Sequence, residues 1–75
     1  MEYEHLPTIS LGLTCKNIKR MIAETGKTRA EISRLLNVHR SMVYKWTSTQ
    51  LPSIDNLVRL AYVLDCSVDE IIVTY

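Results

Sequence analysis

At 75 residues, 47% hydrophobic and 23% charged, the chain has the size and composition of one small globular domain, which argues against a disordered or fibrous protein and leaves little of these residues for a second module. Its net charge of +1 conceals a division: the segment from Lys16 to Lys45 holds eight cations against two anions, net +6, and the remainder holds one cation against six anions, net −5. The acidic start MEYEHLPT is no secretory signal, no apolar run reaches bilayer length, and the scattered Cys15 and Cys66 make no disulfide framework, so a cytoplasmic protein with reduced thiols and no membrane association is expected.

In chain order, residues 1–13 are leucine-rich and β-branched around Pro7 and Gly12 without a helical period, and read as an extended N-terminal arm or short strand. Thr14 is placed to cap a first helix whose Ile18, Met21 and Ile22 share one face, and Gly26 ends it after Thr25. Thr28 with Glu31 three residues later is the capping-box pattern. It opens a second helix with Ile32, Leu35 and Leu36 on its buried face. Asn37, the residue that after glycine best tolerates a left-handed backbone, stops that helix, and Val38 returns to the core.

A third helix follows at once in the stretch NVHRSMVYKW, residues 37–46. At about 100° per residue, Arg40, Tyr44, Ser41 and Lys45 fall within an arc of about 140°, while Met42, Trp46 and Val43 lie between about 200° and 300°. The apolar three must face the neighbouring helices, which turns the other four outward. The tight connection through Asn37 forces this helix across the second at a large angle, so that it protrudes. A short protruding helix with donors along its first turns has the shape that enters the major groove of DNA and reaches base edges.

Residues 48–52 read as a loop. Ser53 caps a fourth helix with Leu57, Leu60, Ala61 and Leu64 at core spacing, and Ser67 with Glu70 forms a second capping box over a short fifth helix carrying Val68, Ile71 and Ile72. The tail Val73, Thr74, Tyr75 has strand propensity and can pair with the N-terminal arm or with a second chain. The chain thus divides into an arm at 1–13, a helical domain at 14–72 and a tail at 73–75. No nucleophile with its base, phosphate loop or pair of inward carboxylates emerges, so an enzyme is not expected. Cys15, Cys66, His5 and His39 lack ligand spacing, so neither a metal nor a cofactor is expected.

The stretch TRAEISRLLNVHRSMVYKW, Thr28 to Trp46, followed by LPSIDNLVRLAYVLDCSVDEII, resembles the helix-turn-helix domain of the phage repressor and Cro type, also called the XRE family. The likeness runs from about Cys15 to Ile72. It rests on the order of capped helix 2, the turn before a valine, the tryptophan of helix 3, and the Pro-Ser and Ser-x-x-Glu starts of helices 4 and 5. The resemblance implies an all-α, five-helix repressor-like bundle with helix 3 as recognition helix, Arg40, Ser41, Tyr44 and Lys45 reading bases. It implies phosphate contacts by Thr28 and Arg29, with His39, Ser48 and Gln50 as further candidates for the backbone. Of these, Arg40 has the chemistry for a bidentate contact to guanine.

The chain departs from the family at several points. Arg29 stands where glutamine is common, and adds a charge; Ile22 and Thr47 replace a frequent arginine–glutamate pair; His39 caps helix 3 in place of serine or threonine; and the loop after helix 3 lacks its usual glycine and is one residue shorter. The expected function is sequence-specific binding of double-stranded DNA by a small bacterial or phage-derived transcriptional repressor, acting as a homodimer through helix 5 and the tail or through the arm. The alternative is a protein-interaction module on the same scaffold, with a protein partner in place of DNA.

Overall fold

A computed structural model describes residues 3–75. Five helices follow one another in it: α1 (Leu11–Glu24), α2 (Arg29–Leu36), α3 (Arg40–Trp46), α4 (Ile54–Val63) and α5 (Val68–Ile71). Among the described residues the β-structure is confined to one isolated antiparallel bridge, Ile9 to Thr74. The all-α, five-helix architecture expected from sequence is therefore the one observed.

Helix starts are set where a side chain satisfies the amides that a first turn leaves unpaired. Thr28 does this for α2 in a full capping box: its hydroxyl accepts from the Glu31 amide at 3.1 Å, and the Glu31 carboxylate accepts from the Thr28 amide at 3.0 Å. The Ser53 hydroxyl accepts from Asn56 at 3.3 Å for α4, and the Glu70 carboxylate accepts from the Ser67 amide at 2.8 Å for α5.

The start of α1 differs from expectation. Ser10, not Thr14, is its cap, accepting from the Leu13 amide at 3.2 Å, and the extended segment before it is correspondingly shorter than residues 1–13. Leu11 and Leu13 are half-exposed and so carry no buried period to announce this first turn. Thr14 is buried within the helix and has another task. Its hydroxyl donates to the Val73 carbonyl at 3.3 Å and accepts from the Val73 amide at 3.0 Å, fastening the tail to α1.

Of the two partners open to the tail, it pairs with its own arm: the Ser10 amide donates to Val73 at 2.8 Å and the Tyr75 amide to Thr8 at 2.9 Å. Asn17 ties the far end of the same seam, donating to the carbonyls of Glu70 and Ile71 at 2.9 Å each. The core behind it is built from Ile18 and Ile22 of α1, Ile32 and Leu36 of α2, Val43 and Trp46 of α3, Leu60 and Ala61 of α4, and Ile71 of α5. In a domain this small that set of buried side chains is the main favourable term in folding, at about 1.5–3 kcal/mol for each large aliphatic residue fully buried.

Two helices end in the same device. At α2, Asn37 adopts φ 55° and ψ 44°; its amide donates to the Arg34 carbonyl at 3.2 Å, and the Val38 amide to that of Ser33 at 3.0 Å. At α4, Asp65 adopts φ 56°; its amide donates to the Tyr62 carbonyl at 3.2 Å, and the Cys66 amide to that of Ala61 at 3.0 Å. Both are Schellman turns carried by an Asx residue, the type that enters the left-handed region at least cost after glycine.

Candidate nucleic-acid interface

The Asn37 turn decides the geometry of the site. It joins α2 to α3 within three residues, so α3 starts at Arg40 and packs against α2 and α1 through Val43 and Trp46, both buried. Met42 packs on the same core from its margin. With those three held inward, Arg40, Ser41, Tyr44 and Lys45 are all exposed, as the helical wheel requires.

His39 caps α3 with its ring. Nδ1 accepts from the Ser41 amide at 3.1 Å and lies 2.8 Å from the Ser41 hydroxyl, so one imidazole nitrogen orients a residue of the outward edge. At the other end of the helix the Tyr44 carbonyl accepts from the hydroxyls of Thr47 and Ser48, each at 2.9 Å. The Lys45 carbonyl gathers the amides of Ser48, Thr49 and Gln50 at 3.1, 2.8 and 2.9 Å, which closes the loop after α3. The backbone carbonyl of Gln50 receives the Cys15 thiol at 3.7 Å, while Gln50 itself is exposed.

Arg29 has surroundings that its place in the sequence does not announce. Its guanidinium carbon lies 4.2 Å from the centroid of the Tyr44 ring, and Nη1 donates to the Thr47 hydroxyl at 3.2 Å. The first residue of α2 thus bridges to the last turn of α3, and stacking on the ring face is favourable for a cation. Thr47, 6% exposed, sits where a charged residue would be desolvated, and a hydroxyl with both a donor and an acceptor partner avoids that cost. Ile22, the other departure, is 2% exposed and simply joins the core.

A groove beside this bridge is lined by Lys19, Lys27, Thr28, Arg29 and Tyr44, over Ile22 and Ala23. Lys19 reads in the sequence as one more solvated cation; the packing of α1 beside the start of α2 brings it to the same groove as Thr28 and Arg29. Three cations around a helix N-terminus, whose amides and dipole favour negative charge, form an arrangement suited to a phosphate. Not every cation of the basic segment is free to contribute in this way. Arg20 is engaged within α1, with Glu24 and with the Asn17 side chain.

The Glu31 carboxyl is held below the ordinary carboxylate range by the Thr28 amide and, second, by the Thr28 hydroxyl. Burial pushes the Cys15 thiol up, opposed by its bond to the Gln50 carbonyl; burial, with Glu70 and Asp65 adding to it, does the same for Cys66. Both cysteines are free thiols. Among the described residues no three His, Cys, Asp or Glu side chains come together as a metal site, and no helix is long and apolar enough to cross a membrane.

Two helices joined by a left-handed asparagine turn, the second presenting a polar edge over an apolar underside, define a helix-turn-helix domain. The chain belongs to the Cro/C1-type helix-turn-helix DNA-binding domain family, whose profile matches residues 17–75. It is similar to the crystal structure of a transcriptional regulator from Listeria innocua, at 33% identity and a TM-score of 0.71, over 79% of this chain and 56% of that one. This chain therefore spans little more than half the length of that regulator. It is also similar to SinR, the master regulator for biofilm formation, solved in complex with DNA, at 29% identity and a TM-score of 0.67, over 75% of this chain and 92% of the other. No match was found among curated proteins.

Proposed function

We propose that the protein binds double-stranded DNA sequence-specifically through α3 and acts as a cytoplasmic transcriptional repressor in the form of a homodimer. One observation carries this reading: Arg40, Ser41, Tyr44 and Lys45 are exposed together on the free side of a helix whose other side is fastened by Val43 and Trp46. In the proposal Arg40 reads guanine, Ser41 and Lys45 contact neighbouring bases, and Tyr44, steadied by Arg29, meets sugar or a thymine methyl. Thr28 and Arg29, with Lys19 and Lys27 beside them, grip a phosphate, and His39, Ser48 and Gln50 contact the backbone from the two ends of α3. A single α3 spans only a few base pairs, which favours two copies on two half-sites about one helical turn apart.

Selection of bound duplexes from a random pool, followed by salt titration of the winner, tests the reading. Enrichment of a motif with half-sites about 10 base pairs apart, and affinity that falls steeply with salt, is the expected result. No enrichment, or binding indifferent to salt, overturns it. A protein-interaction role on the same scaffold is the second reading, favoured by the exposed Leu35, Val58 and Tyr62 on the α2–α4 side. Replacing both Arg40 and Lys45 by alanine separates the two: lost DNA retention with self- and partner-association unchanged supports the first reading, whereas a wild-type chain that retains no DNA but captures a protein supports the second.

A further inference from the structure

The outward side of α4 carries an apolar stripe that a solvated helix does not need. Ile54, Val58 and Tyr62, spaced i, i+4 and i+8, are 81%, 55% and 87% exposed, and Leu35 of α2, 57% exposed, widens the stripe beside Val58 and Arg59. Contiguous exposed side chains of this size on a small domain mark an interaction surface. Of the regions that sequence offered as an interface, arm and tail spend their backbone hydrogen bonds on each other, and Ile71 of α5 is wholly buried.

Charge along the stripe points to its occupant. Asp55 and Arg59 flank the apolar residues on one side and are four residues apart, a spacing at which they pair readily within a helix. They do not: among the described residues the one ion pair is Arg20 with Glu24, and the Arg59 guanidinium turns instead to the Asn56 side chain at 3.4 Å. We propose that this face is the self-association surface of the protein, with α4 packed antiparallel on α4 of a second copy about a two-fold axis at Val58. Such an axis sets Val58 against its own copy and Ile54 against Tyr62 of the other chain. It also leaves the flank unchanged, so Asp55 meets Arg59 of the second copy within about 3 Å along the helix axis, at about 1.5 Å per residue. A self-complementary patch of this kind is what a two-fold interface requires. The inference rests on the dimeric reading above and names the surface that serves it.

Sedimentation of the full chain over a range of concentrations, without DNA, tests it. The wild-type protein shows a concentration-dependent monomer–dimer equilibrium, and Val58→Glu weakens it about tenfold or more with unchanged circular dichroism. Asp55→Arg and Arg59→Asp each weaken self-association by placing like charges across the axis. Mixed one to one, they associate again, because the doubly basic flank of the first variant then meets the doubly acidic flank of the second. A wild-type chain that stays monomeric, a Val58→Glu variant that associates normally, or two charge variants that are weak alone and fail to associate when mixed would each overturn the proposal. A monomer that still selects a DNA sequence removes this surface and leaves the DNA reading standing, whereas a dimer that selects none does the reverse.

Discussion

The outward faces of α3 and α4 are both exposed and both held from behind by the same core, yet they differ in chemistry. On α3 the free side offers a guanidinium, a hydroxyl, a phenol and an ammonium; on α4 it offers isoleucine, valine and tyrosine with one acid and one base at the edge. Donors and positive charge on a narrow helix suit a polyanion with acceptor-rich grooves, and apolar side chains with balanced charge suit a protein surface. Exposure by itself thus says little about purpose. A net charge near zero for the whole chain hides two surfaces of different kind.

The sharpest break in this comparison comes from their common support. Trp46→Ala, at a side chain 1% exposed between the helices, costs about 3–5 kcal/mol in urea unfolding and abolishes DNA binding and self-association together. Arg40→Ala separates the faces: a loss of about 1–3 kcal/mol in DNA affinity, with relaxed selectivity at one base pair in repeated selections, is expected with dimerisation unchanged. Asn37→Ala puts a side chain with no local polar compensation into the left-handed turn that joins α2 to α3. It lowers stability by about 1–2 kcal/mol, and Asn37→Gly does not, as thermal unfolding of the pair checks.

Arg29→Gln removes one charge from the groove and the ring stack from Tyr44. It reduces the slope of log K against log salt by about 1, measured by anisotropy titration, without touching the α4 face. The smallest effect concerns pH. The Glu31 carboxyl is lowered in the folded state, so its contribution is present above the ordinary carboxylate range and is lost as pH falls through that range and below it. Wild type is accordingly more stable than Glu31→Gln at neutral pH, and the difference vanishes in acid unfolding series. The apolar residues of the α4 face have no part in that titration, and its association is not expected to follow the Glu31 profile.

Much of the bundle could be read along the chain because its determinants are local. The Thr28–Glu31 box, the Ser53 cap and the Asn37 turn each act over three to five residues, and the split of α3 into two sides follows from its period. The four residues of the proposed reading edge were therefore identifiable, and the likeness to the repressor and Cro type placed them on the recognition helix. The first turn of α1 escaped because Leu11, Gly12 and Leu13 bury no face, and any upstream hydroxyl is an equally good cap until the backbone is placed.

Local chemistry therefore settled the order of the helices, the turn between α2 and α3, and which side of α3 is free. Packing settled the rest: that Thr14 clasps Val73 across 59 residues, that the tail takes the arm as its partner, that Arg29 stacks on Tyr44, and that Lys19 enters the groove beside Thr28. It also left the α4 stripe uncovered beside Leu35. The reason is physical. Capping hydrogen bonds and helical period act within a few residues and are written in spacing, whereas these contacts join segments whose meeting depends on how the whole core packs.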